Sequence, residues 1–171
     1  MIGNLLTKIK YLCGVKRRDS TKVALNDNNM TDLLLAMLED YGLSEVEGKE
    51  SNSEIIAMGR ELGYDIADDS STAWCSLALN YYAKKCGYEY TGDLSARSWL
   101  KMSIMVLKPK LGDVVVLWRE HATSWKGHVG LFIAQDAKKI YILAGNQGNQ
   151  INITAYSRDR LLGYRQLKKI T

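Results

Sequence analysis

A chain of 171 residues with 46% hydrophobic and 25% charged side chains is long enough for one domain with a real core, and its composition is not that of a collagen, a disulfide scaffold or a disordered tail. Its net charge of +4 is unevenly placed: Lys8, Lys10, Lys16, Arg17 and Arg18 stand in the first 18 residues with no acidic partner, which leaves 18 basic against 19 acidic side chains in the rest. The body is nearly neutral, which excludes a nucleic-acid footprint spread over the domain.

Within residues 1–18, Ile2, Leu5, Leu6, Ile9 and Leu12 recur near helical spacing among the cations, as in a short amphipathic arm. Three expectations stand for it, weak contact with an anionic membrane, contact with a nucleic acid, and a solvated tail. Lys8 and Lys10 interrupt its apolar residues and no small-residue cleavage site follows, so synthesis in the cytoplasm without a Sec signal peptide is expected. No apolar run reaches bilayer-spanning length. Residues 19–29 are polar and rich in Asn and Asp, a linker. The expected organisation is an arm and linker over 1–30 and a single catalytic domain over 31–171.

The first helix is capped by Asn29 or Thr31, carries Leu33, Leu34, Met37, Leu38 and Tyr41, and stops at Gly42. A second starts at Asn52 or Ser53 and runs through Ile55, Ile56, Met58 and Leu62 to Gly63. Asp65, Asp68 and Asp69 follow without EF-hand spacing, so they read as a polar loop and no metal is assigned.

The third helix is the one around which the chain is organised. Trp74, Leu77, Ala78, Tyr81 and Tyr82 form one apolar stripe, Asn80, Lys84 and Lys85 fall elsewhere on the wheel, Ser70, Ser71 and Thr72 are candidate caps, and Gly87 ends it. A cap at Ser71 or Thr72 puts Cys75 at the third or fourth helical position, where open backbone N–H groups and the helix dipole favour a thiolate. A buried, inert thiol is the alternative. Cys13, Cys75 and Cys86 make an odd count with no metal-type spacing, so neither a disulfide framework nor a zinc site is expected.

Ser95 to Lys101 reads as a short helix with Ala96, Trp99 and Leu100 inward, and Pro109-Lys-Leu-Gly-Asp113 as a turn. From there the period changes. Val114–Trp118, Gly127–Ala134, Lys139–Asn146, Gln150–Thr154 and Leu161–Arg165 are strand-like runs with turns at 135–138 and 147–149. Helices first and strands after predict an α+β domain, its antiparallel sheet packed on the N-terminal helices.

Cys75 needs a base, and the chain has two histidines. His121 lies in a polar loop and reads as exposed. His128 opens a strand between Gly127 and Gly130, whose small size lets a helix terminus or a substrate backbone approach the imidazole. With the turn at 135–138, positions summing to about 274 oppose one another, which sets Asn146 across from His128 as the residue that would orient the ring; a turn conformation at Asn146 is the alternative, with Gln147 on the other face.

Taken in order, Trp74-Cys75-Ser76 at a helix start, Ala96-Arg-Ser-Trp-Leu100, Pro109-Lys-Leu-Gly-Asp-Val-Val-Val116, Gly127-His-Val-Gly130, Gly145-Asn-Gln147 and Leu161-Leu-Gly-Tyr-Arg165 resemble the NlpC/P60 and CHAP superfamily of papain-like cysteine peptidases, in its phage and prophage-associated branch, over about residues 44–165. The resemblance implies a papain-like fold and a peptidoglycan hydrolase, an endopeptidase or an N-acetylmuramoyl-L-alanine amidase, acting without a cofactor. It implies Cys75 as nucleophile, His128 as base, Asn146 as orienter, and Trp74 and Gln147 as substrate contacts. Its partner would be bacterial peptidoglycan, with an immunity protein if the chain is an antibacterial effector. It would work in the periplasm or cell wall, delivered through a holin or by a contact-dependent machine. A cysteine hydrolase or acyltransferase on a non-wall substrate, and a non-catalytic phage structural or binding module, are the competing functions.

Overall fold

The computed structural model describes residues 31–48, 50–70 and 72–170; the basic arm and linker expected over 1–30 lie outside the described residues. Thr31 caps α1 (Asp32–Glu39), its Oγ1 accepting from the amide of Leu34 at 3.2 Å, and Leu33, Leu34, Met37 and Leu38 turn inward. Asn52 caps α2 (Ser53–Glu61) by accepting from the Glu54 amide at 2.9 Å. The third helix, α3 (Cys75–Lys85), is followed by a 3₁₀ segment (Ala96–Lys101).

The strands are β1 (Ile104–Val106), β2 (Val114–Trp118), β3 (Gly127–Gln135), β4 (Lys139–Ala144), β5 (Asn152–Ser157) and β6 (Leu161–Gln166). They form one antiparallel sheet in the order β1-β6-β2-β3-β4-β5, an α+β architecture as expected from the order of helical and strand periods. Strand β1, three residues at the sheet edge, was not foreseen: Ile104, Met105 and Val106 are too few to show a period. The expected run Gln150–Thr154 is shifted, because Ile151 is held by Leu43 rather than by β4 and the ladder begins at Asn152.

Both faces of the sheet are apolar, which explains why β2 reads as an unbroken Val-Val-Val-Leu run instead of alternating. One parity, Val114, Val116, Val129, Leu131, Ile133 and Leu143, packs with Trp74, Leu77 and Ala78 of α3 and with α1. The other parity, Val115, Leu117, Phe132, Ile140, Ile142, Ala144 and Tyr164, forms a second core. That core closes because the sheet curls: Phe132 on β3 meets Tyr164 two strands away at 6.0 Å between ring centroids, and the turn Arg158–Arg160 carries the chain from the β5 edge back to β2.

The helix α3 is buried on more than the one predicted stripe. Asn80, placed outside that stripe by the sequence, and Ser76, not assigned to it, are both fully buried, covered by the loop 91–95 and by Trp99. Gly145 sets how close α3 comes to the sheet: a Cβ there would stand 2.5 Å from the Trp74 ring and 3.0 Å from the Ala78 methyl. A Gly145→Ala substitution is therefore expected to cost about 1–3 kcal/mol as an overpacked site, read as a lower urea midpoint with unchanged slope.

Candidate active site

Cys75 is the first residue of α3, not its third or fourth. The residue before it, Trp74, occupies the cap position with no side-chain hydrogen bond to the helix. Of the expected caps, Ser71 lies outside the described residues, Thr72 Oγ1 donates instead to the Asp68 carbonyl at 3.0 Å, and Ser70 Oγ donates to Asp68 Oδ1 at 2.9 Å. In the same acidic segment Asp69 is buried, and its Oδ2 accepts from the amides of Asn52 (2.7 Å) and Val46 (3.2 Å), tying this loop to the start of α2.

The Trp74 ring, expected to contact substrate, is entirely buried and donates from Nε1 to Glu45 Oε1 at 2.6 Å. Its size and apolar body make it a wedge between α3 and Gly145 rather than a cleft wall. A cavity of about 350 Å³ lies beside Glu45, with Gly48, Ser70, Gly148 and Asn149 also on its wall.

The Cys75 thiol is 3% exposed. Burial pushes its pKa above the ordinary thiol value, and this outweighs three backbone N–H groups directed at the sulfur, those of Val129, Ser76 and Cys75 itself, together with the field of the Arg119 guanidinium. The expected low-pKa thiolate is thus not the resting state: the open amides at the helix start are present, but loss of water costs the anion more than they return. The Val129 amide adjoins His128, so the sulfur rests one peptide unit from the histidine although 53 positions separate Cys75 from His128 in the chain.

His128 stands on β3 opposite Leu117, 4% exposed, with the Tyr156 ring 5.4 Å from its own. Burial lowers its pKa to about 4, against the opposing effect of the hydrogen bond it donates to Gln147, so the ring is neutral at neutral pH. Among the described residues no hydrogen bond joins the thiol to the imidazole. The small neighbours of His128 serve other ends than expected: a Cβ on Gly127 would press on Leu117 and Ala96, and one on Gly130 would come within 2.6 Å of Ala144 on β4.

The partner of the ring is Gln147, not Asn146. The predicted pairing sum of 274 does hold where β3 and β4 begin to pair, at Leu131 with Leu143 and Phe132 with Ile142. However, β4 ends at Ala144, Asn146 takes a left-handed turn conformation (φ 56°), and its Nδ2 points toward the Thr72 carbonyl at 3.5 Å. The turn swings Gln147 under the sheet, where it is buried and its Oε1 lies 3.3 Å from His128 Nε2.

The other end of the Gln147 amide decides the proton positions. Its Nε2 faces the carbonyl of Asn152 at 2.5 Å, those of Ile142 and Ala144 at 3.4 Å, and Asn152 Oδ1 at 3.1 Å, all acceptors. The oxygen must therefore face the ring, His128 Nε2 carries the proton and donates it, and Nδ1 keeps a free lone pair. Asn152 Nδ2 donates to the Gln147 backbone carbonyl at 2.7 Å, which fixes the Asn152 side chain that in turn accepts from Gln147 Nε2. Replacing Gln147 by Ala is expected to lower kcat by about 10²-fold, the low end of what a positioned acid–base group contributes, with little change in KM.

Several residues that shape the site were not singled out from the sequence as functional. Ser76 Oγ donates to the Asp93 carbonyl (2.7 Å) and accepts from Trp99 Nε1 (2.9 Å), while Asn80 donates to the Asp93 carbonyl and accepts from the Gly92 amide (3.0 and 2.8 Å). This closed network locks the first turn of α3 to the loop before the 3₁₀ segment. A polar pair four apart on an otherwise apolar helix was the one available hint. His121 is exposed, its Nδ1 3.0 Å from Thr123 Oγ1, and Cys86 is half-buried at the far end of α3.

No protein-family model matches the chain, and no curated protein matches it. Among solved structures it is similar to a crystal structure described as "similar to lipoprotein, NLP/P60 family" from Staphylococcus aureus subsp. aureus Mu50, with 17% sequence identity and a TM-score of 0.48. The alignment covers 86% of this chain and 44% of that one, so the chain spans less than half the length of that protein.

Proposed function

We propose that the chain is a cysteine hydrolase of the NlpC/P60 and CHAP type that cuts an amide bond in the peptide of bacterial cell wall. The observation that carries this reading is the thiol at the first residue of α3 lying on the Val129 amide, beside an imidazole whose Nδ1 is left as an acceptor by the Gln147 bond. The ordered motifs from Trp74 to Arg165 supply the choice of substrate.

In this mechanism the neutral imidazole takes the thiol proton at Nδ1 as the sulfur attacks the carbonyl carbon, so the ion pair forms with the transition state. The developing oxyanion meets the amides of Cys75 and Ser76, which have no acceptor within the helix at its first turn. The imidazolium then gives its proton to the leaving amine, the C–N bond breaks, and water hydrolyses the thioester to regenerate the thiol. Gln147 holds Nε2–H throughout and accepts more strongly from the imidazolium than from the neutral ring.

Delivery as a phage lysin or as a secreted effector follows from the same proposal without altering the chemistry. The test is digestion of purified peptidoglycan with mass spectrometry of the released fragments. A new amine and carboxyl terminus at one amide position is expected, and an intact wall after prolonged incubation overturns the reading.

A further inference from the structure

Around the thiol and the imidazole stand two arginines with no counter-ion among the described residues. Leu117 pairs with His128 and so shares its face of the sheet, and Arg119, two residues on, leaves β2 toward the same side. Its backbone N–H donates to the Lys126 carbonyl at 3.2 Å, while among the described residues its guanidinium has no hydrogen bond and no carboxylate partner. Its field reaches Cys75, His128 and Tyr156.

Arg160 is held more firmly. Its Nε donates to the Trp118 carbonyl at 2.9 Å, and its Cζ lies 5.7 Å from the Trp118 ring and 4.9 Å from the Tyr156 ring, which in turn meets the His128 ring at 5.4 Å with a 45° tilt. These contacts fix the plane of the guanidinium and use one of its donors, leaving the Nη groups uncommitted. A planar cation already ordered by aromatic walls is suited to a carboxylate, which it can grip through two parallel hydrogen bonds at little further entropic cost.

We propose that Arg119 and Arg160 form a preset anion-binding rim that selects wall peptides bearing a free carboxylate next to the scissile amide. The inference rests on the hydrolase reading for its substrate, whereas the rim itself is testable without it. Two cations facing a reaction centre repel each other and lower the proton affinity of the base, an arrangement that becomes favourable when a substrate anion sits between them. The uncharged amide of the same peptide offers no such compensation.

Two measurements on the full chain decide it. The first compares alkylation of Cys75 by iodoacetate and by iodoacetamide, with sites resolved by mass spectrometry and Cys86 as internal reference. Iodoacetate is expected to be favoured at Cys75 over Cys86 by about tenfold, the low end of the enrichment a charged cleft produces, and the Arg119→Ala/Arg160→Ala variant to lose that preference while Arg60→Ala keeps it. Equal ratios at the two cysteines, or a preference surviving the double variant, overturn the rim.

The second compares native peptidoglycan with wall whose carboxylates have been amidated by carbodiimide and ammonia. Wild-type kcat/KM is expected to fall about tenfold on the amidated wall, and the double variant to cut both at the same low rate. Equal wild-type rates on the two walls overturn the carboxylate selection and leave the hydrolase standing. Release from neither wall removes the hydrolase reading and the substrate half of this inference with it, and the alkylation ratio then judges the rim alone.

Discussion

On the proposed function, Cys75→Ala is expected to abolish release of wall peptides, a loss of at least about 10⁴-fold, while Cys86→Ala and His121→Ala are expected to hydrolyse at wild-type rates. The size of the effect follows from the chemistry: without the sulfur no thioester forms, and the oxyanion donors and imidazole retain only what they can do for a water molecule. The controls separate the sites. Cys86 lies at the far end of α3 with only moderate burial, and His121 is an exposed loop residue hydrogen-bonded to Thr123. The checking measurement is a time course of amine release from purified peptidoglycan. Full activity in Cys75→Ala would refute the nucleophile.

His128→Asn combines a rate effect with a stability effect of known sign. The rate is expected to fall by about 10³-fold, within the range lost with a general base, since the Asn amide can still donate to Gln147 but cannot accept and return a proton. For stability, the folded-state pKa of His128 is about 4 and the unfolded value 6.5. Between these values the unfolded chain binds a proton that the folded chain does not. Wild-type stability therefore declines as pH falls from about 6.5 to about 4, by up to roughly 3 kcal/mol, and this contribution is fully present above pH 6.5.

The variant lacks that decline. Asp113, whose pKa burial raises, and Asp32, whose pKa partners lower, titrate in both proteins and cancel in the difference. Urea unfolding at pH 4, 5, 6 and 7 gives the comparison. Parallel stability curves for wild type and His128→Asn would show that the ring is not buried in its neutral form.

The helix that opens near Cys75 and the strand that carries His128 were legible because each rests on a local pattern. A cysteine at a helix start and a histidine between glycines in an apolar run are short-range patterns, readable without knowing what packs against them. The ionisation state was not legible. The helix start does aim N–H groups at the Cys75 sulfur, as position alone implies, but desolvation by the surrounding core reverses the net shift. Burial is a property of the assembled layers and leaves no trace in the residues next to the thiol.

The same limit applies to the orienting group. Register arithmetic placed Asn146 opposite His128, and the arithmetic itself holds at Leu131 and Leu143. What it could not include was the end of β4 at Ala144, where Gly145 yields to the Trp74 ring and the left-handed Asn146 reverses the chain. One residue of turn then exchanges the expected side chain for its neighbour Gln147. In the same way Asn80 falls outside the apolar stripe of its helix, and only the loop 91–95 buries it.

By itself, the order of residues determined the succession of helices and antiparallel strands after residue 113 and the local settings of Cys75 and His128, because periodicity and capping act over a few residues. Tertiary structure alone decided that the sulfur rests on the Val129 amide, that Gln147 holds the ring, that burial favours the neutral thiol and imidazole, and that Arg119 and Arg160 have no carboxylate partner among the described residues. The division has one physical cause. Backbone preference is local, whereas solvent exclusion and charge compensation depend on every element that closes over a group, and here those elements come from positions as far apart in the chain as Glu45 and Arg160.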